Sequence, residues 1–178
     1  MKQRLHQIEL FIKYPHDVQQ EWFRKLLFAG KDTIYGKEHF FGDVQNVQQF
    51  KERVPIQNYD SLKPYIDRLR SGEQNVLWNT PIRWFAKSSG TTAGKSKFIP
   101  VSEESLEECH FKAGKDMLSI YCNNHPDSQL FSGKSLTVGG SHQIGQLNSN
   151  SNQGDLSAIL MQNLPFWAQF VTTPNLSI

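Results

Sequence analysis

Residues 82–101 read Ile82-Arg83-Trp84-Phe85-Ala86-Lys87-Ser88-Ser89-Gly90-Thr91-Thr92-Ala93-Gly94-Lys95-Ser96-Lys97-Phe98-Ile99-Pro100-Val101. The runs Ile82 to Ala86 and Lys97 to Val101 have strand composition, and a loop of hydroxyls, glycines and lysines lies between them. Each part of that loop suits an anion. Gly90 and Gly94 permit positive φ and close backbone approach, and consecutive N–H groups in such a turn form a concave nest for phosphate oxygens. Ser88, Ser89, Thr91 and Thr92 add hydroxyl donors, while Lys95 and Lys97 add positive charge. Plain connectors can also be rich in Ser, Thr and Gly; the two hydroxyl pairs, two glycines and closing lysine together favour phosphate handling. A Walker A loop is excluded twice. Gly90 to Gly94 leaves three intervening residues where that motif needs four, and Lys95 is followed by β-type Phe98-Ile99-Pro100-Val101 instead of a helix.

Beyond this loop, Ser102 predicts the cap of a long helix with Glu103 and Glu104 in its first turn. Its inner face is expected to be Leu106, Cys109, Ala113, Met117 and Ile120, and Glu103, Glu104, Glu107 and Glu108 read as a solvated face. Ser135 to Val138 predicts a buried strand ending at Gly139-Gly140. The Ser-, Asn-, Gln- and Gly-rich run from Ser141 to Asp155 predicts a loop, and Leu156 to Asn163 a short helix. Before the loop, the first 30 residues read as helical: Asp17 as cap, Val18, Trp22, Leu26 and Ala29 on one face, Gly30 at the end. Val47 to Arg53 and Pro64 to Arg70 predict two further helices. Helices first, then strands alternating with helices, predict an α/β domain.

The chain has 178 residues, enough for one domain with a core, and its 38% apolar and 20% charged content is that of a globular protein. No apolar run approaches a membrane span, and Met1 to Lys13 lacks the apolar core of a secretory leader, so a cytoplasmic protein is expected. Cys109 and Cys122 lack metal-site spacing, and the six histidines form no ligand pair. His142, after a predicted strand end, is at most a site-lining residue. A net charge of +2 without a basic run gives no case for nucleic acid. Trp78 and Trp84 flank the loop and read as packing residues before they read as a ligand wall.

The run Trp84-Phe85-Ala86-Lys87 through Ser102 resembles the auxin-responsive-promoter family of acyl-acid–amido synthetases, part of the adenylate-forming superfamily. The likeness continues in Thr33-Ile34-Tyr35-Gly36-Lys37, Arg53-Val54-Pro55-Ile56, Lys63-Pro64-Tyr65-Ile66, Asn75-Val76-Leu77-Trp78 and Gly154-Asp155-Leu156-Ser157-Ala158-Ile159. The resemblance implies a helical N-terminal segment followed by part of the large adenylating domain, a β-sheet flanked by helices. Residues 1–178 would be its N-terminal part, with the C-terminal domain of the enzyme absent from this chain.

It further implies use of ATP and Mg2+ to activate a carboxylic acid as an acyl-adenylate, which an amine or amino acid then attacks. Ser88, Ser89, Gly90, Thr91, Thr92, Gly94 and Lys97 would hold the β- and γ-phosphates, with Lys97 the catalytic lysine and no metal ligand among the side chains. The family's later Tyr-Gly-x-Ser/Thr-Glu and aspartate motifs do not occur, so this chain alone is expected to be inactive. Two alternatives stay open: a thioester former of the acyl-CoA synthetase kind, and an inactive remnant or interaction module.

Overall fold

The computed structural model describes residues 2–88, 96–136, 143–169 and 172–173. Helices α1 (Lys2–Lys13) and α2 (Pro15–Gly30) are separated at Tyr14. Proline supplies no N–H to continue α1, yet its fixed φ suits the first position of α2. The second helix therefore starts at Pro15, and Asp17 lies in its first turn instead of capping it. The buried face also differs by one residue from expectation: Leu27 is 7% exposed, whereas Leu26 is 51% exposed.

The stretch after Gly30 forms α3 (Ile34–Glu38) and a 3-10 turn at Phe41–Asp43. Helix α4 (Val47–Arg53) has the predicted limits, with the Asn46 side chain accepting the Gln49 N–H. Helix α5 (Tyr59–Arg70) starts earlier than Pro64 because Asn58 and Ser61 cap each other's backbone reciprocally. Pro64 thus sits inside the helix, where its ring removes one i→i−4 bond.

The main sheet has strand order β2-β1-β5-β4. Strand β1 (Trp84–Lys87) pairs antiparallel with β2 (Phe98–Val101) and parallel with β5 (Ser151–Gly154), which pairs antiparallel with β4 (Gly145–Asn148). The predicted loop from Ser141 to Asp155 is therefore a β-hairpin over its described part. Its polar side chains carry no hydrophobic alternation, but β5 pairs with a strand on each side, and backbone pairing decides the conformation. The predicted strand at Ser135 to Val138 is described only as β3 (Ser135–Leu136), paired parallel with β6 (Thr172–Thr173). Leu136 is 73% exposed, not buried; residues 137–140 lie outside the described residues.

Two hydrophobic clusters line the sheet. Leu69, Val76, Ile82 and Phe85 form one, with Phe98 and Leu147 against it; Ala86, Val101, Leu106 and Ile159 form the other. Alternation along β1 sends Phe85 into the first and Ala86 into the second. Ile159 comes from α7 (Leu156–Gln162), close to its predicted span, followed by α8 (Phe166–Gln169).

The long helix begins as predicted, with the Ser105 N–H donating to Ser102 Oγ at 3.1 Å. Its next stretch, Ser105–Phe111, is a π-helix, and α6 (Lys112–Asn124) continues from it. A π-turn shifts the phase of all later residues, so a 3.6-residue period no longer predicts their facing. Leu106 and Ser119 are buried, while Cys109 is exposed and Met117 is 65% exposed. Asp116 faces α1, where the Arg4 guanidinium donates to both of its carboxylate oxygens. That hydrogen bonding holds Asp116 below the usual carboxylate range.

Glu104 is also turned inward. Its carboxylate accepts from the Trp78 indole N–H at 3.1 Å and the Thr80 hydroxyl at 2.9 Å. Burial works against its charge, but its own backbone N–H, Thr80, Trp78 and Ser102 together hold its pKa below the ordinary 4.5. A folded-state pKa below the unfolded one stabilises fully above the unfolded value and is lost as pH falls through the folded value. Glu104→Ala is expected to cost about 1–3 kcal/mol at pH 7, because two donors lose their acceptor. The deficit relative to the parent should shrink below about pH 4. Urea midpoints at pH 7 and pH 3 check both signs, and an equal deficit at the two pH values contradicts the assignment.

Candidate functional site at the carboxyl ends of the parallel strands

Strands β1 and β5 run in the same direction and end side by side at Lys87 and Gly154. In open α/β sheets ligands gather at this end, where strands release loops. The hairpin ladder extends one rung past the pair Lys87↔Phe98: the Ser88 N–H donates to the Lys97 carbonyl at 2.9 Å, and the Lys97 N–H to Ser88 Oγ at 3.3 Å. Ser88 and Lys97 are therefore joined at the neck of the predicted phosphate loop. Ser89, Gly90, Thr91, Thr92, Gly94 and Lys95 lie outside the described residues, as does His142.

The neck is held from the side by α5. Tyr59 Oη accepts the Phe98 N–H at 2.9 Å, which satisfies an edge amide of β2. Lys97 Nζ lies 5.5 Å from the centre of the Tyr59 ring, and the Arg70 guanidinium stacks 3.9 Å over Phe98. Lys97 itself is exposed. Of the site residues predicted from sequence, the described pair Ser88 and Lys97 is thus brought together, with the cation at the surface beside a ring face.

Beside the neck lies a cleft of about 710 Å³ lined by Lys87, Gln143, Ile144, Gly145, Gln153, Gly154 and Asp155. Gly154 has a steric reason: a Cβ there would stand 3.2 Å from both the Gln143 carbonyl and Ile144 Cγ1. Alternation sends Lys87 to the Phe85 side of β1, whereas Ser88 and Lys97 follow Ala86 to the other side. A lysine therefore leaves the neck on each face. Lys87, Gln153 and Asp155 escaped sequence reasoning, because β1 was expected to stop at Ala86 and residues 141–155 to be irregular. The signal available was a basic residue ending a strand immediately before an anion-suited loop.

A second polar cleft, about 520 Å³, opens at the opposite end of the same strands, lined by Gly72, Gln74, Pro81, Arg83, Ser149, Asn150 and Asn152. Among the described residues no group of His, Cys, Asp or Glu could hold a metal ion. No described helix is long and apolar enough to cross a membrane.

The model of the GH3 family N-terminal domain matches residues 4–178. The chain belongs to the GH3 family. Among its GH3 relatives, the indole-3-acetic acid-amido synthetase GH3.17 of Arabidopsis thaliana is 38% identical over 96 residues, 53% of this chain and 16% of the relative. The jasmonoyl–L-amino acid synthetase JAR4 of Nicotiana attenuata is 33% identical over 104 residues, 58% of this chain and 18% of the relative. The solved GH3.15 acyl acid amido synthetase superposes with a TM-score of 0.78 at 23% identity, over 89% of this chain and 28% of that one. The complex of AtGH3.15 with 2,4-DB gives 0.71 at 24% identity, covering 82% and 25%. The α/β architecture is thus that of the N-terminal region of a GH3 fold, and the matches span less than a fifth of the length of these curated relatives.

Proposed function

We propose that this GH3 chain forms the phosphate-handling portion of an ATP-dependent ligase that activates a carboxylic acid and passes the acyl group to an amine or amino acid. The observation that carries the reading is the hydrogen-bonded neck at Ser88 and Lys97, at the carboxyl end of the parallel strands in a GH3 N-terminal domain. ATP with Mg2+ would supply the activation, a carboxylate oxygen bonding to the α-phosphorus as pyrophosphate departs, and the amine then displacing AMP with loss of a proton.

The residues present suit that task. Ser88, Ser89, Thr91 and Thr92 supply hydroxyl groups, and glycine at positions 90 and 94 permits close backbone approach to an anion. Lys97 sets a positive charge where negative charge grows on the leaving phosphates. The hairpin is hydrogen-bonded at its base, between Ser88 and Lys97. Mg2+ would enter on the nucleotide phosphates.

Acid-dependent ATP–pyrophosphate exchange tests the reading in a full-length GH3 protein that contains this chain. Exchange is expected with at least one acid of an aryl and aliphatic carboxylate panel, followed by amide formation when amino acids are added. The 178-residue chain by itself is expected to give none. Thioester formation with coenzyme A in place of an amide would reassign the acceptor, and no exchange by the full-length protein with any acid would leave only an interaction role. Exchange by the isolated chain would overturn the division of labour proposed here.

A further inference from the structure

Lys97 is exposed, and among the described residues no carboxylate pairs with it. Its Nζ stands instead over the face of the Tyr59 ring, 5.5 Å from the centroid, within the range of a cation–π contact. The ring is fixed at two points. Its backbone opens α5, where Asn58 and Ser61 cap each other, and its hydroxyl oxygen accepts the Phe98 N–H at 2.9 Å. The far end of the same helix reaches the same residue, since the Arg70 guanidinium stacks 3.9 Å over the Phe98 ring. Helix α5 therefore holds β2 from both of its ends at the residue next to Lys97. Tyr59 is a half-buried plate beside the neck.

We infer that Tyr59 is a positioning residue, whose ring holds the Lys97 ammonium at the neck of the hairpin for an anionic phosphate group. A free lysine chain gives up rotamer freedom when its ammonium is fixed on a ligand, and a ring that already confines it reduces that loss. A carboxylate would confine the chain as well, but it would neutralise the charge and compete with the phosphate. The ring face attracts the ammonium through its quadrupole and carries no net charge for an anion to displace. The N–H donors on the side away from the ring stay available to phosphate oxygens. Because the contact is the same in the ground state and the transition state, it acts on nucleotide binding and not on the chemical step. The inference rests on the ligase reading for the anion it names, ATP; the contact of ring and ammonium stands without it.

Steady-state ATP–pyrophosphate exchange in the full-length protein tests it. Tyr59→Leu is expected to raise KM for ATP about 2- to 5-fold with kcat little changed, as for loss of a cation–π contact at an exposed site. Tyr59→Phe restores the ring without the hydroxyl. It should bring KM back toward the parent value while its urea midpoint stays below the parent's, because the Phe98 N–H has lost its acceptor. In a Lys97→Ala background Tyr59→Leu should raise KM no further, since the two side chains act as one unit. Equal rises in the Leu and Phe variants, or in the two backgrounds, would overturn the inference. Reductive methylation with a 13C label gives a readout besides activity. The Lys97 signal, identified by its loss in Lys97→Ala, should be moved upfield by the ring current in the parent and in Tyr59→Phe, and should lose that shift in Tyr59→Leu. If the full-length protein shows no exchange with any acid, that pattern supports the positioning contact although the ligase reading has failed, and an unshifted Lys97 signal in the parent removes it.

Discussion

Replacing residues 89–96 by Asn-Gly in a full-length GH3 protein that contains this chain should leave a folded protein in which the proposed acid-dependent ATP–pyrophosphate exchange has dropped by at least about 10³-fold. The reasoning starts at the neck. Ser88 and Lys97 already form a hydrogen-bonded pair on opposite strands, and a two-residue Asn-Gly turn closes such a pair with the right-handed twist that strands prefer. The ladder Lys87↔Phe98, Ala86↔Ile99, Phe85↔Pro100 and Trp84↔Val101 is untouched, and so are the clusters around Phe85 and Ala86. What disappears is the set of hydroxyls and glycines from Ser89 to Ser96 that the proposed function assigns to the phosphates. One preorganised donor is worth about 10²–10³ in rate where charge develops, so several lost together exceed that. Lys97→Ala in the unshortened hairpin removes a single charge-assisted contact and should cost about 10- to 100-fold. The graded pair separates a phosphate grip from a merely structural hairpin. Exchange that survives the short turn within a factor of about ten would remove the loop from the chemistry.

The same hairpin shows what the sequence could and could not say. Strands β1 and β2 were legible because Trp84, Phe85, Phe98 and Val101 are bulky and flanked by turn residues. The loop between them could be read as suited to an anion because its side-chain chemistry is local, and that reading awaits the exchange experiment. The long helix was legible at its start, where Ser102 caps a backbone N–H, but not along its length. A π-segment from Ser105 to Phe111 is set by backbone bonding that leaves no compositional mark, and it turned Cys109 and Met117 outward. Strands β4 and β5 were hidden for the converse reason. Residues such as Gln146, Asn148, Asn152 and Gln153 announce a loop, and only the partner strand, far away in sequence, makes them a sheet. Half of the candidate cleft comes from that segment, so Gln153 and Asp155 could not be joined to Lys87 before the pairing Ala86↔Gly154 was known.

This division has a functional consequence. The neck is fixed by the local pair Ser88 and Lys97 and, from α5, by the bond between Tyr59 and Phe98, together with the flanking clusters. The cleft beside it depends on β5 lying between β1 and β4. A change in β5 should therefore disturb the cleft before it disturbs the hairpin.

A second large effect is expected far from the site, at Gly36. Helix α3 meets the end of α2 so closely that a Cβ at Gly36 would lie 1.9 Å from the Gly30 carbonyl oxygen and 2.8 Å from its carbon. Neither atom is the end of a side chain that can swing aside, so the helices must separate. Thr33 is then lost as well. It is 1% exposed, its hydroxyl donates to the Gly30 carbonyl at 2.6 Å, and it accepts the Gly36 N–H at 2.9 Å. The start of α3 also docks on the segment before β1, where the Ile34 and Tyr35 N–H groups donate to the Asn75 and Val76 carbonyls. Val76 belongs to the core cluster with Phe85. Overpacking of about 1–3 kcal/mol adds to a buried hydroxyl deprived of partners, about 1–3 kcal/mol more, so Gly36→Ala should cost at least about 3 kcal/mol. Gly114 in α6 provides the contrast. A Cβ there meets nothing within 4 Å, and Gly114→Ala should gain about 0.5–1 kcal/mol from helix propensity alone. Urea unfolding of the two variants reads the difference directly. A Gly36→Ala midpoint equal to that of the parent would mean that α3 does not rest on the end of α2, and that the route from the N-terminal helices to the sheet runs elsewhere.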